Sequence, residues 1–180
     1  MIIEEIPYVG LSDDVNFSIS ACISMLLHQV GYIRYSYKDI NEMFCDTFIS
    51  TEFYEHFRSS LGIKNDKIPE VVGCGLYFVN EMLQNIRASI FELDIPAIKY
   101  SFIKRHIPVM ITGTFPVQND LIQNSIVVKG YVDDYLVVND PRGNAYTGYK
   151  DSHGANLLYK IEDLIRWLGG NKVYIFRIHP

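Results

Sequence analysis

Few side chains in this sequence could attack a substrate, abstract a proton or hold a metal, and they are scattered. Cys22, Cys45 and Cys74 lie far apart, with no CxxC pair and no histidine at metal-ligand spacing, so neither a disulfide framework nor a zinc site is indicated. Cys22 is the best-placed thiol, since it follows Ser18 by four residues and shares its helix face one turn deeper. His28, six residues further on, is turned away from it, and free cysteine more often serves as a small buried hydrophobe. Cys45 and Cys74 read as core residues for the same reason, and His56, His106 and His179 have no motif around them. His153 could approach Asp140 if the intervening hairpin folds back, supplying a base or a metal pair; an exposed turn histidine is the simpler reading. Asp140-Pro141-Arg142-Gly143-Asn144 is the densest polar turn, and a turn after a strand wants these residue types in any case. Tyr146, Tyr149 and Tyr159 beside it suit a packed, half-buried sheet, or an interface.

The elements that must position these groups change character midway. From Ser18, apolar Ile19, Ile23, Leu26, Leu27 and Val30 recur at helical spacing, and Gly31 is a natural stop. Further helices are expected over Tyr37 to Phe48, over Thr51 to Ser60 before Gly62, and over Gly73 to Arg87. A short strand follows at Ser89 to Leu93, and then a helix from Ile95, with Asp94 as cap and Pro96 in its first turn. Strands are expected at Pro108 to Thr114, Ser125 to Val132, Tyr135 to Asn139 and Val173 to Ile178, rich in β-branched and aromatic residues. Asp133-Asp134 makes a tight hairpin, and Ile161 to Leu168 is a short helix ended by Gly169-Gly170. Helices first and antiparallel strands later argue for an α+β fold with two lobes around one core, a single domain over residues 1–180.

Composition sets the outer limits. With 48% hydrophobic and 21% charged residues the chain belongs among ordinary globular proteins. A net charge of −5 lacks the basic excess that drives phosphate binding, which argues against a nucleic-acid partner. MIIEEIPYVG carries two glutamates where a signal peptide needs positive charge, and no apolar run approaches the length of a membrane span. A cytoplasmic or virion-associated protein is expected.

Two stretches carry a family likeness. IPYVGLSDD followed by NFSISACISMLLHQVGY, and IPVMITGTFPVQNDLIQNSIVVKGYVDDYLVVNDPRGNAYTGYKDSHGANLLYKIEDLIRW, together resemble the papain-like C39 family of cysteine peptidases. The family opens with an extended segment bearing a glutamine, then a polar turn and a cysteine at the start of a helix that contains Met and ends in Gly. Met25 and Gly31 fall at those offsets when Ser18 takes the cysteine position. The second stretch is similar to the family's His-bearing strand running into Gly-Tyr, its hairpin and its Asp-Pro turn.

The resemblance implies a thiolate at a helix N-terminus, a histidine base, an orienting group and an oxyanion donor. The matching positions hold Ser18 for the cysteine, Asn124 for the histidine, Asp140 for the orienting residue and Leu11 for the oxyanion glutamine. Asparagine cannot accept and return a proton near neutral pH, an unassisted serine is scarcely ionised, and a leucine side chain donates no hydrogen bond. Ser18, Asn124 and Asp140 are still expected to converge, with the Asn124 amide bridging the other two. The expected function is therefore that of a catalytically inactive C39-like domain, a pseudoenzyme kept as a protein- or peptide-binding or structural module, with phage-encoded functions among the contexts the family serves. The alternative is an active hydrolase or transferase using Cys22 or Ser18 as a nonstandard nucleophile, with His153 or another histidine recruited as base. No metal or organic cofactor is required by either reading. Treatment with a chelator should accordingly leave the thermal unfolding midpoint in place, and a fall of many degrees in a calorimetric scan would contradict this.

Overall fold

The first helix forms where the apolar spacing begins and stops where the chain needs a left-handed residue. α1 spans Ser18–Gln29, and Gly31 follows at φ +76°. The residues described by the computed structural model are 1–48, 70–118 and 120–180. All of α1 from Ile19 to Leu27 is buried, so the helix is an axis of the core rather than an amphipathic cover. Its expected apolar face is inside, with Val30 only half-buried at the end. The polar residues on its other side are satisfied within the core. Ser20 Oγ lies 2.9 Å from the Phe17 carbonyl and 2.6 Å from Asn41 Oδ1, and Ser24 Oγ donates to the Ser20 carbonyl at 2.8 Å. Asn41 belongs to α2 (Tyr37–Phe48), whose start is a reciprocal box: Ser36 N–H donates to Asp39 Oδ2 at 2.9 Å and Asp39 N–H to Ser36 Oγ at 3.2 Å.

The expected helix from Gly73 to Arg87 is shorter and earlier. α3 covers Glu70–Tyr77 and is followed by one π-helical turn, Phe78–Met82. Asn80 accounts for the change. Its amide accepts from Ala88 N–H at 2.7 Å and donates to the Ala88 carbonyl at 3.2 Å, bracketing the strand that follows as a neighbouring strand would. That strand, β1 (Arg87–Asp94), is longer than expected. Asp94 stands at the N-cap of the 3-10 turn Ile95–Ala97, but its side chain makes no capping bond there. The turn runs on into α4 (Ile98–Ser101). The helix expected over Thr51 to Ser60, Gly62 and His56 lie outside the described residues.

The later half supplies β2 (Val109–Val117), β3 (Asp120–Val132), β4 (Tyr135–Asn139), β5 (Leu157–Lys160), α5 (Ile161–Trp167) and β6 (Lys172–His179). The six strands make one sheet in the order β1-β6-β2-β3-β4-β5. Every pairing is antiparallel, so the class is α+β as expected. β5 is not among the expected strands, because four residues running straight into a helix carry no strand signature of their own. α1 packs mainly on β3 and α2, and also touches β2 and α3. At Gly130 the β3 and β4 register shifts, and the N-terminal segment bridges there. A Cβ on Gly130 would come within 2.8 Å of the Met1 carbonyl, so this close crossing requires glycine. β2 and β6 are paired only at Met110↔Phe176 and Ile111↔Ile175 and diverge beyond.

No helix among the described residues is long and apolar enough to cross a membrane. Since Leu26 and Leu27 are 1% and 2% exposed, truncating either to Ala should cost about 2 to 5 kcal/mol in urea denaturation. A cost near zero would show that α1 is not the core axis.

Candidate active site

Asp140 follows β4 directly, and the chain turns sharply there, with Gly143 N–H donating to the Asp140 carbonyl at 3.1 Å. Its side chain is fully buried. Oδ1 accepts from Asn124 Nδ2 at 2.9 Å and from the Arg142 backbone N–H at 3.0 Å. Oδ2 accepts from the Tyr159 hydroxyl at 2.8 Å and, more weakly, from that of Tyr149 at 3.4 Å. No cation forms an ion pair with it among the described residues. Burial therefore outweighs the four donors, and the carboxyl is pushed up to about 6. Burial, and then the Asp140 charge, push the phenols of Tyr149 and Tyr159 far above their ordinary range. Both stay protonated and act as donors.

The backbone around Asp140 is tied just as closely. Tyr8, from the N-terminal segment, places its hydroxyl 3.2 Å from the Asp140 carbonyl and 3.3 Å from that of Ser152, and accepts from Gly154 N–H at 3.2 Å. Asp140 N–H donates to the Gly154 carbonyl at 2.8 Å. A Cβ on Gly154 would collide with the Asp140 carbonyl oxygen, so no larger residue fits.

The four positions singled out from sequence are linked by hydrogen bonds, directly or through a neighbour. Asn124 stands inside β3 rather than just before it, because the strand starts at Asp120 instead of Ser125. Its Nδ2 is shared between Asp140 and the Tyr149 hydroxyl, the latter at 3.0 Å. The expected bridge from Asn124 to Ser18 does not form, because that amide nitrogen is committed on the Asp140 side, while Oδ1 is buried with no partner among the described residues. Ser18, the first residue of α1, instead accepts at Oγ from the backbone N–H of Ser125 at 3.1 Å. Leu11 is half-buried against the core, and its backbone N–H donates to the Pro141 carbonyl at 2.8 Å. That donor faces the turn, and the side chain offers no other. The recorded hydrogen-bond partner of the Ser18 hydroxyl is thus a backbone N–H, which cannot take a proton.

The other candidates lie elsewhere. Cys22 is fully buried, and burial, then the Asp140 charge, raise its thiol well above the ordinary value. Cys74 is buried, while Cys45 is half-exposed, 3.7 Å from Asn41 Nδ2. His153 is exposed, with its ring centroid 5.9 Å from that of Tyr8. It makes no side-chain hydrogen bond to Asp140, whose oxygens are already taken. Sequence reasoning missed Tyr8, Tyr149 and Tyr159 as the hydroxyls that hold Asp140. The tyrosines flanking the Asp-Pro turn were the available signal. Packing is only half of their role: Tyr159 meets Tyr146 and Trp167 edge to face, lies tilted against Phe115 and still reaches the carboxylate. No group of three or more potential ligands for a metal ion is found among the described residues.

No protein-family model matches the sequence, and no curated protein sequence matches it. Solved structures do. The peptidase domain of Streptococcus ComA, a bifunctional ABC transporter of a quorum-sensing pathway, has a TM-score of 0.52 at 12% identity, covering 97% of this chain and 98% of that one. A C39-like peptidase from Bacillus anthracis has a TM-score of 0.53 at 14% identity, covering 98% and 96%. A double-glycine-motif protease from an AMS/PCAT transporter, solved in complex with the leader peptide, has a TM-score of 0.50 at 13% identity, covering 97% and 91%. The fold is therefore that of C39 peptidase domains, and at such identities the likeness is one of fold.

The raised Asp140 carboxyl has a definite sign. Its contribution to stability is fully present below the ordinary value near 3.8 and is lost as pH rises through about 6. Relative to Asp140→Asn, the unfolding free energy of the unaltered protein should fall by on the order of 3 kcal/mol between about pH 4 and pH 7. Urea titrations at a series of pH values measure this, and a difference that stays flat would contradict it.

Proposed function

We propose that this chain is a catalytically silent C39-like module that holds a peptide segment of a protein partner without cutting it. One observation carries the reading: Asn124, at the position of the family's base, commits its amide to Asp140 and Tyr149 and has no proton-accepting nitrogen. Three features support it. Ser18 is an acceptor for a backbone N–H rather than a donor to a base. Leu11 supplies no side-chain donor to an oxyanion. The polar network around Asp140 is completed by tyrosines, so the junction is stabilised without a functioning triad. The complex of a structurally similar protease with a leader peptide makes a peptide the natural class of occupant, and a partner in a virion or a host pathway accords with the contexts in which such domains occur. The alternative nucleophile, Cys22, is disfavoured because its thiol is buried and kept protonated.

The test is incubation of the protein with a mixed peptide library, read by mass spectrometry. The expected result is no new cleavage product, and cleavage that disappears in Ser18→Ala would overturn the reading. A second measurement compares the single variant Ser18→Cys with the double variant Ser18→Cys, Asn124→His. Iodoacetamide should label the introduced thiol faster in the double variant, because only the pair restores a base beside it. Equal rates would show that position 124 does not face position 18.

A further inference from the structure

A pocket of about 260 Å³ lies apart from the candidate site, at the other end of α1, roughly 16 Å along the helix axis from Ser18. It opens where the β2–β6 ladder stops at Met110↔Phe176, because Pro108, two residues earlier in the chain, has no N–H to extend the pairing. Arg177 and His179 of β6 and His106 from the turn before β2 line it, and no Asp or Glu does. None of the three makes an ion pair or a side-chain hydrogen bond with a described residue, and the exposed Pro180 beside them pairs with none of them. We infer that this pocket binds inorganic phosphate, a tetrahedral anion that still carries a proton at neutral pH.

The unmet donors select an oxyanion. Arg177 Nε is buried without an acceptor, and an unpaired guanidinium N–H is costly to keep from water. Ser89 stands across the β1–β6 ladder from Arg177, so the two side chains share one face, and its hydroxyl is also buried without a partner. The adjoining pocket gives the guanidinium room to turn onto an oxyanion, and the histidines each add an N–H donor. The unmet acceptor selects phosphate among oxyanions. Gln29 Oε1, on a residue of the same pocket wall, is buried without a partner and receives the proton that inorganic phosphate retains. Sulfate has no proton to give it. The carbonyls ending α1, which repel an anion, are already capped: those of Leu26, Leu27 and His28 accept from the N–H groups of Val30, Tyr32 and Gly31. The pocket is smaller than the roughly 300 to 1,000 Å³ usual for larger organic ligands, which suits a free ion.

This assignment is independent of the peptide-holding reading. It is tested on the full chain by titrating sodium phosphate, sodium sulfate or phenyl phosphate at constant ionic strength and following the histidine ring resonances by NMR. At about pH 7.5 sulfate and the ester have both lost their acidic protons, whereas inorganic phosphate keeps one. The His106 and His179 resonances should shift saturably with phosphate, and the other two anions should bind about tenfold more weakly. Arg177→Gln should weaken phosphate about tenfold. His106→Asn, chosen because asparagine tolerates the left-handed backbone at φ +58°, should also weaken it, with His179 as the reporter. Absence of a saturable shift, sulfate binding as tightly as phosphate, or an affinity unchanged in both variants would overturn the assignment. Phenyl phosphate binding more tightly than phosphate would overturn the choice of the free ion.

Discussion

A carboxylate buried without a cation is costly, and among the described residues the strands and loops around the Asp-Pro turn are arranged to meet that cost at Asp140. Four donors converge on its two oxygens, from β3, the Asp-Pro turn, the loop that follows and β5. The backbone of the same residue ties the N-terminal segment, through Tyr8, to the loop at Gly154. Removing water from the carboxylate still outweighs these contacts, which is why its titration moves toward neutrality. The protonated phenols follow from this buried carboxyl, whereas the need for glycine at position 154 comes from the close approach of the Asp140 backbone carbonyl.

On the proposed reading, the residues around this group keep the architecture of a papain-like triad without its chemistry. In a papain-like triad the third residue orients an imidazole. Here it orients an amide, which donates to the carboxylate as an imidazole N–H would but cannot shuttle a proton. Ser18 is held by a backbone N–H, a contact that any small hydroxyl at the start of α1 would satisfy. These polar contacts contribute to folding, and on the proposed reading they serve without turnover.

Much of the fold was legible because its elements announce themselves locally. The apolar spacing of α1, the Gly31 stop and the Asp133-Asp134 hairpin all appear where expected. What was not legible depends on contacts distant in sequence. Asn80 ends a helix by bonding a strand eight residues on, and β5 exists only because β4 offers it an edge. At the site, the identities of Ser18, Asn124, Asp140 and Leu11 came from a resemblance, and no local pattern marks them. The tyrosines around Asp140 could be counted in the sequence, but which oxygen each one reaches is decided by the curl of the sheet.

The silence of the site is tested most directly at Ser18. A serine hydroxyl with no base beside it does not react with a fluorophosphonate probe, whereas an activated one does. Intact-mass analysis of the folded protein after probe treatment should show no adduct at Ser18. A stoichiometric adduct there, absent from the urea-unfolded protein, would contradict the claim that this site is silent.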